Sequence, residues 1–129
     1  MSSETLHVPR EKLSTEARLL HYAITSLMEE LEAIDWYRQR ADDSEDDTLR
    51  QLLLHNMREE MEHASMLMEW IRRRNSDFAG HMKTYLFTDA PLLAIEVEDK
   101  AGGDAGGGAG EAAARRDLGS SVGSLKGGR

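Results

Sequence analysis

Apolar residues repeat with a helical period in the first third of the chain. Their steps alternate between four and three residues, which is the heptad spacing of a helix that packs along one seam. Ser14 or Thr15 can cap the amino end of such a helix. The pattern predicts a long first helix with a seam made of Leu13, Ala17, Leu20, Ile24, Leu27, Leu31 and Ile34.

A second long helix is predicted after the acidic, polar segment 41–47, which suits a turn. Ser44 and Asp47 have the spacing of a capping box at its start. Three arginines at 72–74 suit the negative carboxyl end of a helix, and Asn75 suits its C-cap. The seam of this helix repeats at similar steps and consists of Leu49, Leu53, Asn56, Glu60, Ala64, Leu67 and Ile71.

The chain is therefore predicted to be all-α. We also expect helical structure over 77–87 and a short C-terminal helix from Thr88 to about Glu98, with Pro91 near its first turn. The two long helices should form an antiparallel hairpin, which shelters only part of each apolar stripe. We expect two chains to dimerise and complete a four-helix bundle.

Composition changes abruptly after residue 100. Ten of the 11 glycines follow Lys100, and a glycine-rich segment cannot bury enough apolar surface to offset its ordering entropy. We predict a flexible N-terminus at 1–12, a helical domain at 13–99 and a flexible Gly-rich linker at 100–117. Leu118, Val122 and Leu125 dot the final segment 118–129, which is either disordered or a peptide that docks into a partner's groove.

Charge and composition exclude several classes of function. Lys and Arg number 16 against 24 Asp and Glu, a net charge of -8, and so acidic a chain argues against nucleic-acid binding. The chain has no cysteine, which excludes disulfides, thiolate metal sites and cysteine nucleophiles. No apolar run suits a signal peptide or a membrane helix, so we expect a cytoplasmic protein.

Glu60 is the most informative residue of the second helix. It lies in the middle of the apolar seam, and His63 follows one turn later on the same face. A carboxylate buried there must be paired, protonated or bound to a metal. Glu30 lies at the edge of the first seam, and one Glu plus Glu-x-x-His is half of a carboxylate-bridged two-metal site. The alternative is a Glu60–His63 ion pair that fixes the register of the helices.

The ligand types narrow the choice of metal. Oxygen and nitrogen donors without thiolate suit iron or manganese and tolerate Zn²⁺ or Ca²⁺. A twofold axis would double the set to four carboxylates and two imidazoles, whose four negative charges balance two divalent ions. The site would then form only where two chains meet.

A second group of residues lies on the far side of the first helix. Glu29, Glu32 and Trp36 share one face at helical spacing. They form either an ordinary solvated face or an external cation site on a path to the inner one. Trp36 suits a face that another subunit covers.

Several sequence segments resemble the encapsulated ferritins. They are MEELEAIDWY at 28–37, HN at 55–56, EEMEHA at 59–64, EWIRR at 69–73 and YLFT at 85–88, and SVGSLK at 121–126 resembles the peptide that targets cargo to encapsulin. The resemblance covers about residues 13–98 and resumes at the C-terminus, where Gly127, Gly128 and Arg129 depart from the pattern. It implies a ferritin-like fold in which dimers assemble into a ring-shaped decamer.

The resemblance also implies an activity and its residues. The ferroxidase centre at the dimer interface would use Glu30, Glu60 and His63 of each chain, with Tyr37 nearby. The family's metal-uptake site on the outer surface would map to Glu29, Glu32 and Trp36.

The function expected from the resemblance is oxidation of Fe²⁺ to Fe³⁺ by a cargo protein. Residues 118–126 would bind the encapsulin shell, and the protein would feed iron to mineral storage inside that nanocompartment. Two alternatives remain open: a non-catalytic iron-binding or delivery cargo, and a purely structural helical adaptor.

Overall fold

The computed structural model describes residues 5–102, which fall into two compact units that divide after Asn75. The first unit holds a 3-10 turn at Arg10–Lys12 and helices α1 (Thr15–Asp43) and α2 (Asp47–Arg74). The second unit holds α3 (Ser76–Tyr85) and α4 (Leu92–Gly102). No strand occurs within 5–102, so the all-α prediction is confirmed. Of the linker predicted at 100–117, residues 100–102 form the end of α4, and the remainder lies outside the described residues, as does the segment 118–129.

Helices α1 and α2 form an antiparallel hairpin. Arg74 at the end of α2 forms an ion pair with Glu16 at the start of α1, and Glu30 faces Glu60 halfway along. Fourteen residues separate Glu16 from Glu30 and also Glu60 from Arg74. The two contacts between the helices are therefore the same number of residues apart on α1 and on α2. The register set at the turn is therefore kept along the whole hairpin.

The turn between the helices differs from the prediction. Helix α1 continues to Asp43, so only residues 44–46 connect it to α2. The expected capping box of Ser44 and Asp47 is wrong, because the N-cap of α2 is Asp46, whose carboxylate accepts a 2.7 Å hydrogen bond from the Leu49 amide. Ser44 instead ends α1 and donates its hydroxyl to the Asp46 carbonyl. At the other end of α1, Ser14 is the N-cap, as predicted.

Few side chains are buried in the hairpin. The buried apolar residues between α1 and α2 are Ala23, Ala41, Met57, Ala64 and Ile71. Two members of the α1 seam stay exposed, Ile24 by 37% and Leu31 by 50%. The apolar stripe of α1 is thus wider than the face that α2 covers, as expected for a hairpin that shelters only part of its seam.

The second unit contains the two shorter helices, which contact each other. Helix α3 agrees with the helical structure expected over 77–87. Helix α4 begins later than expected, at Leu92, because Thr88 closes α3 by donating its hydroxyl to the Tyr85 carbonyl. Pro91 precedes α4, and its carbonyl accepts the first helical hydrogen bond, from Ile95. No helix within 5–102 is both long and apolar enough to cross a membrane.

Candidate metal centre

Three of the predicted ligands come together in the middle of the hairpin. Glu30 projects from α1, and Glu60 and His63 project from successive turns of α2. One ligand atom from each lies within 4.8 Å of the other two. In the part of the chain that the structure describes, no other set of three acidic or histidine side chains meets that distance. Glu30 and Glu60 therefore lie together, as their positions along the two seams predict.

The imidazole of His63 lies between the two carboxylates. Its Nδ1 atom is 3.4 Å from Glu60 Oε2 and 3.6 Å from Glu30 Oε2. Neither carboxylate has a Lys or Arg ion-pair partner among the described residues. The Glu30 and Glu60 side chains are 23% and 24% exposed to solvent, so both negative groups are largely shielded from water. Two carboxylates thus share one imidazole.

Glu30 carries an unmet hydrogen-bonding need. Its Oε2 atom is shielded from solvent and has no hydrogen-bond partner, because His63 Nδ1 at 3.6 Å is too distant to donate. A shielded carboxylate oxygen without a donor is unfavourable, and a bound cation satisfies it. Charge-assisted N–H···O⁻ bonds are about 2.7–2.9 Å long. At 3.4 Å the His63–Glu60 contact is a long hydrogen bond, and this pair alone leaves the Glu30 oxygen unsatisfied.

Tyr37 does not belong to this cluster within one chain. It follows Glu30 by seven residues, about 10 Å along the helix axis, and is half-buried. Its ring lies beneath the guanidinium of Arg40, whose Cζ is 5.9 Å from the ring centroid.

The outer group occupies the expected face of α1. Glu29 and Glu32 are exposed, and Trp36 is 48% exposed. Within 5–102, neither carboxylate belongs to a group of three acidic or histidine side chains whose ligand atoms lie within 4.8 Å of one another. Arg40 was not predicted to belong to this face, yet its Cζ lies 5.6 Å from the Trp36 ring centroid. The i, i+4 spacing of Trp36 and Arg40 was the available signal.

A contrasting ionic cluster lies near the end of α2. Arg72 and Arg73 donate hydrogen bonds of 2.6–2.7 Å to Glu69, and these bonds lower the pKa of its carboxyl to about 2. Glu69 also raises the pKa of Arg72. Here the negative charge is compensated by arginine, whereas the charges of Glu30 and Glu60 are not.

Comparison with known proteins gives close relatives. A family model described as EncFtn-like matches residues 5–89. An encapsulated ferritin-like protein of Rhodospirillum rubrum is 50% identical over 127 residues, covering 98% of this chain and 91% of the relative. A ferritin-like protein of Thermotoga maritima is 43% identical over 106 residues, covering 82% of this chain and 93% of the relative.

Two further comparisons concern an encapsulin cargo and a solved structure. An encapsulin nanocompartment cargo protein of Myxococcus xanthus is 36% identical over 77 residues, which cover 59% of this chain and 57% of the relative. A crystal structure of a Nitrosomonas europaea protein superposes with a TM-score of 0.66 at 49% identity, covering 67% of this chain and 96% of that one.

Proposed function

The chain belongs to the EncFtn-like family, and we propose on that basis that it is a ferroxidase, oxidising Fe²⁺ to Fe³⁺ at a di-iron centre shared by two copies. The observation that carries the proposal is the Glu30–Glu60–His63 cluster, with its shielded and unpartnered Glu30 oxygen. One chain supplies two carboxylates and one imidazole. A second copy across a twofold axis would supply the same set, and four carboxylates would balance two Fe²⁺ ions.

The three side chains have different tasks in this proposal. Glu30 comes from the opposite helix and would bridge the two iron ions, while Glu60 and His63 of each chain would together hold one ion. Two Fe²⁺ ions release two electrons, which dioxygen takes up with two protons to give hydrogen peroxide. Anionic oxygen ligands bind the harder Fe³⁺ more strongly than Fe²⁺, so the carboxylates favour the oxidised product.

Assembly is the second part of the proposal. Ile24 and Leu31 are exposed members of the α1 seam, and burying them against a second hairpin would complete a four-helix bundle. We extend this to the ring-shaped decamer implied by the family resemblance. Tyr37 would then lie near the shared centre.

The outer face is assigned a role in metal uptake. Glu29 and Glu32 are exposed carboxylates one turn apart, and Trp36 follows one turn later. In this proposal they collect Fe²⁺ from solution before it reaches the inner centre.

The cargo role rests on relatives. The R. rubrum relative is described as encapsulated and the M. xanthus relative as an encapsulin cargo. We propose that residues 118–126 bind the encapsulin shell and that the protein works inside this nanocompartment. Deleting 118–129 should abolish co-purification with the shell and leave iron oxidation in solution unchanged. Retained co-purification would reject this role of the tail.

The test of the activity is oxygen uptake after Fe²⁺ is added to the apoprotein. Glu60→Ala and His63→Ala should each remove most of the protein-dependent rate. Glu59→Ala is the matched control, because Glu59 is an exposed neighbour on the same helix and pairs with His55 at 3.7 Å. Unchanged uptake in both ligand variants would reject the proposed centre.

The same assay decides between the proposal and its alternative. A non-catalytic iron-binding or delivery cargo would bind Fe²⁺ through the same cluster, and its oxygen uptake would not exceed that of free iron. The cluster supports both functions, because each requires Fe²⁺ to bind there.

A further inference from the structure

Arg40 links the two aromatic residues that the proposed function assigns to different places. Its guanidinium Cζ lies 5.6 Å from the centroid of the Trp36 ring and 5.9 Å from that of the Tyr37 ring. Arg40 is four residues after Trp36 and three after Tyr37, so all three side chains lie on adjacent turns of α1. The guanidinium stacks on both rings, and its position at the surface is therefore defined.

The charge of Arg40 is not neutralised by an ion pair. Among the described residues it has no carboxylate partner, whereas the nearby Arg38 pairs with Asp42 at 3.5 Å. Asp35, another acidic residue of this part of α1, accepts a 3.0 Å hydrogen bond from Gln39. A guanidinium remains protonated at any working pH, so Arg40 is a permanent positive charge.

The position of this charge relates it to the outer face. Glu29, Glu32, Trp36 and Arg40 follow one another at steps of three, four and four residues, which places them along one side of α1. Because the guanidinium lies over Trp36, it is about one helical turn beyond a cation held by Glu32, at a distance on the order of 10 Å.

We propose that Arg40 is a positioning residue that weakens cation retention at the outer face, by holding a fixed positive charge over Trp36. This inference rests on the proposed uptake role of Glu29 and Glu32. A site that collects ions must release them to the inner centre. A fixed positive charge nearby repels a bound cation and so shortens the time for which it stays bound. Arg40 thus makes the outer face a site of passage instead of storage.

The test is equilibrium binding of Tb³⁺, with Trp36 as the antenna for its luminescence. Coulomb repulsion between a trivalent ion and one positive charge at about 10 Å predicts tighter binding in Arg40→Gln, by about twofold at 0.1 M ionic strength and about fivefold at 0.01 M. Arg40→Lys retains the charge and should bind Tb³⁺ like the original protein. Trp36→Phe should remove the signal, which shows that the reporting ion is near Trp36.

Arg38→Gln is the matched control. It removes the same charge from the same helix, but residue 38 is nine positions from Glu29 and lies on the opposite side of α1. Its Tb³⁺ affinity should stay close to that of the original protein. A purely structural role for Arg40 would make the Lys and Gln variants alike and leave the effect independent of salt.

The failures are distinguishable. Unchanged or weaker binding in Arg40→Gln, or equal affinities for the Lys and Gln variants, overturns the role of Arg40 while the outer site stands. Absence of Trp36-dependent luminescence in the original protein, or a signal that survives Glu29→Gln with Glu32→Gln, overturns both the outer site and this inference. The inner centre is tested separately by oxygen uptake.

Discussion

Glu30→Gln should stabilise the apoprotein and should gain less stability from bound metal than the original protein does. In the apoprotein the carboxylates of Glu30 and Glu60 approach within 4.8 Å around His63. Repulsion between the two carboxylates is the main unfavourable charge interaction of the cluster. The amide of Gln is close in shape and removes one of the two charges.

The size of the effect follows from the separation and the partial burial of the two groups. Two unit charges at about 5 Å repel by about 1 kcal/mol in water and by about 3 kcal/mol at an effective dielectric constant of 20. Both side chains are mostly shielded, so we expect the apoprotein to gain about 1–3 kcal/mol. A gain of 1 kcal/mol raises the Tm of a domain of this size by roughly 4–8 °C.

Bound metal counteracts this gain in stability. A ligand present at a hundred times its Kd stabilises the folded state by about 2.7 kcal/mol, and this gain shrinks as affinity falls. Glu30→Gln removes an anionic ligand, so Zn²⁺, a redox-silent substitute for iron, should raise its Tm much less than that of the original protein. Without metal the variant melts higher, and with metal the gap narrows or inverts.

Thermal unfolding followed by circular dichroism, at fixed protein concentration and with or without Zn²⁺, gives these Tm values. Glu59→Gln is the matched control, because it makes the same chemical change at an exposed position beside Glu60 and outside both proposed metal-binding groups. It should leave both Tm values almost unchanged. A lower apoprotein Tm in Glu30→Gln, or a Zn²⁺-induced gain equal to that of the original protein, would refute this account of the cluster.

Three further predictions concern other parts of the chain. The pKa of Glu69 is lowered to about 2. The contribution of its charged form to the stability of the folded protein is therefore complete above the ordinary pKa of 4.5 and is lost as pH falls towards 2. The Tm difference between the original protein and Glu69→Gln should be constant above about pH 5 and shrink below it. Asp46→Ala should lose about 1 kcal/mol in urea unfolding because it removes the N-cap of α2, and a larger loss in Ser44→Ala would contradict the cap seen here. Leu31→Glu should shift native mass spectra towards single chains while helicity by circular dichroism is retained; unchanged assembly would remove this face from the interface.

The helical periods of the sequence predict both long helices because each stripe is long and regular. The ends were less predictable, since they depend on local competition. Ala41 is buried against α2 and Asp43 still belongs to α1, which shortens the turn and moves the cap to Asp46. Similarly, Thr88 bonds back to α3, so α4 starts only after Pro91.

The candidate site was predictable for a different reason. Glu60 interrupts an apolar seam, and a charged residue at a position that the pattern reserves for an apolar one is typical of a functional site. Glu30 lies opposite Glu60 because the short turn fixes the register of the two antiparallel helices. The contacts of Arg40 could not be read from the pattern, because stacking on Trp36 and Tyr37 depends on side-chain rotamers as well as spacing.

Each hairpin brings together two carboxylates and one imidazole, which is half of the ligand set proposed for two ions. If the proposed centre is shared, the number of working centres grows with the square of the free subunit concentration wherever assembly is incomplete. Dilution should therefore lower the rate per mole of protein, and a newly synthesised chain would be catalytically silent until it meets a second. Peroxide would then be generated only in the assembled particle, away from isolated subunits.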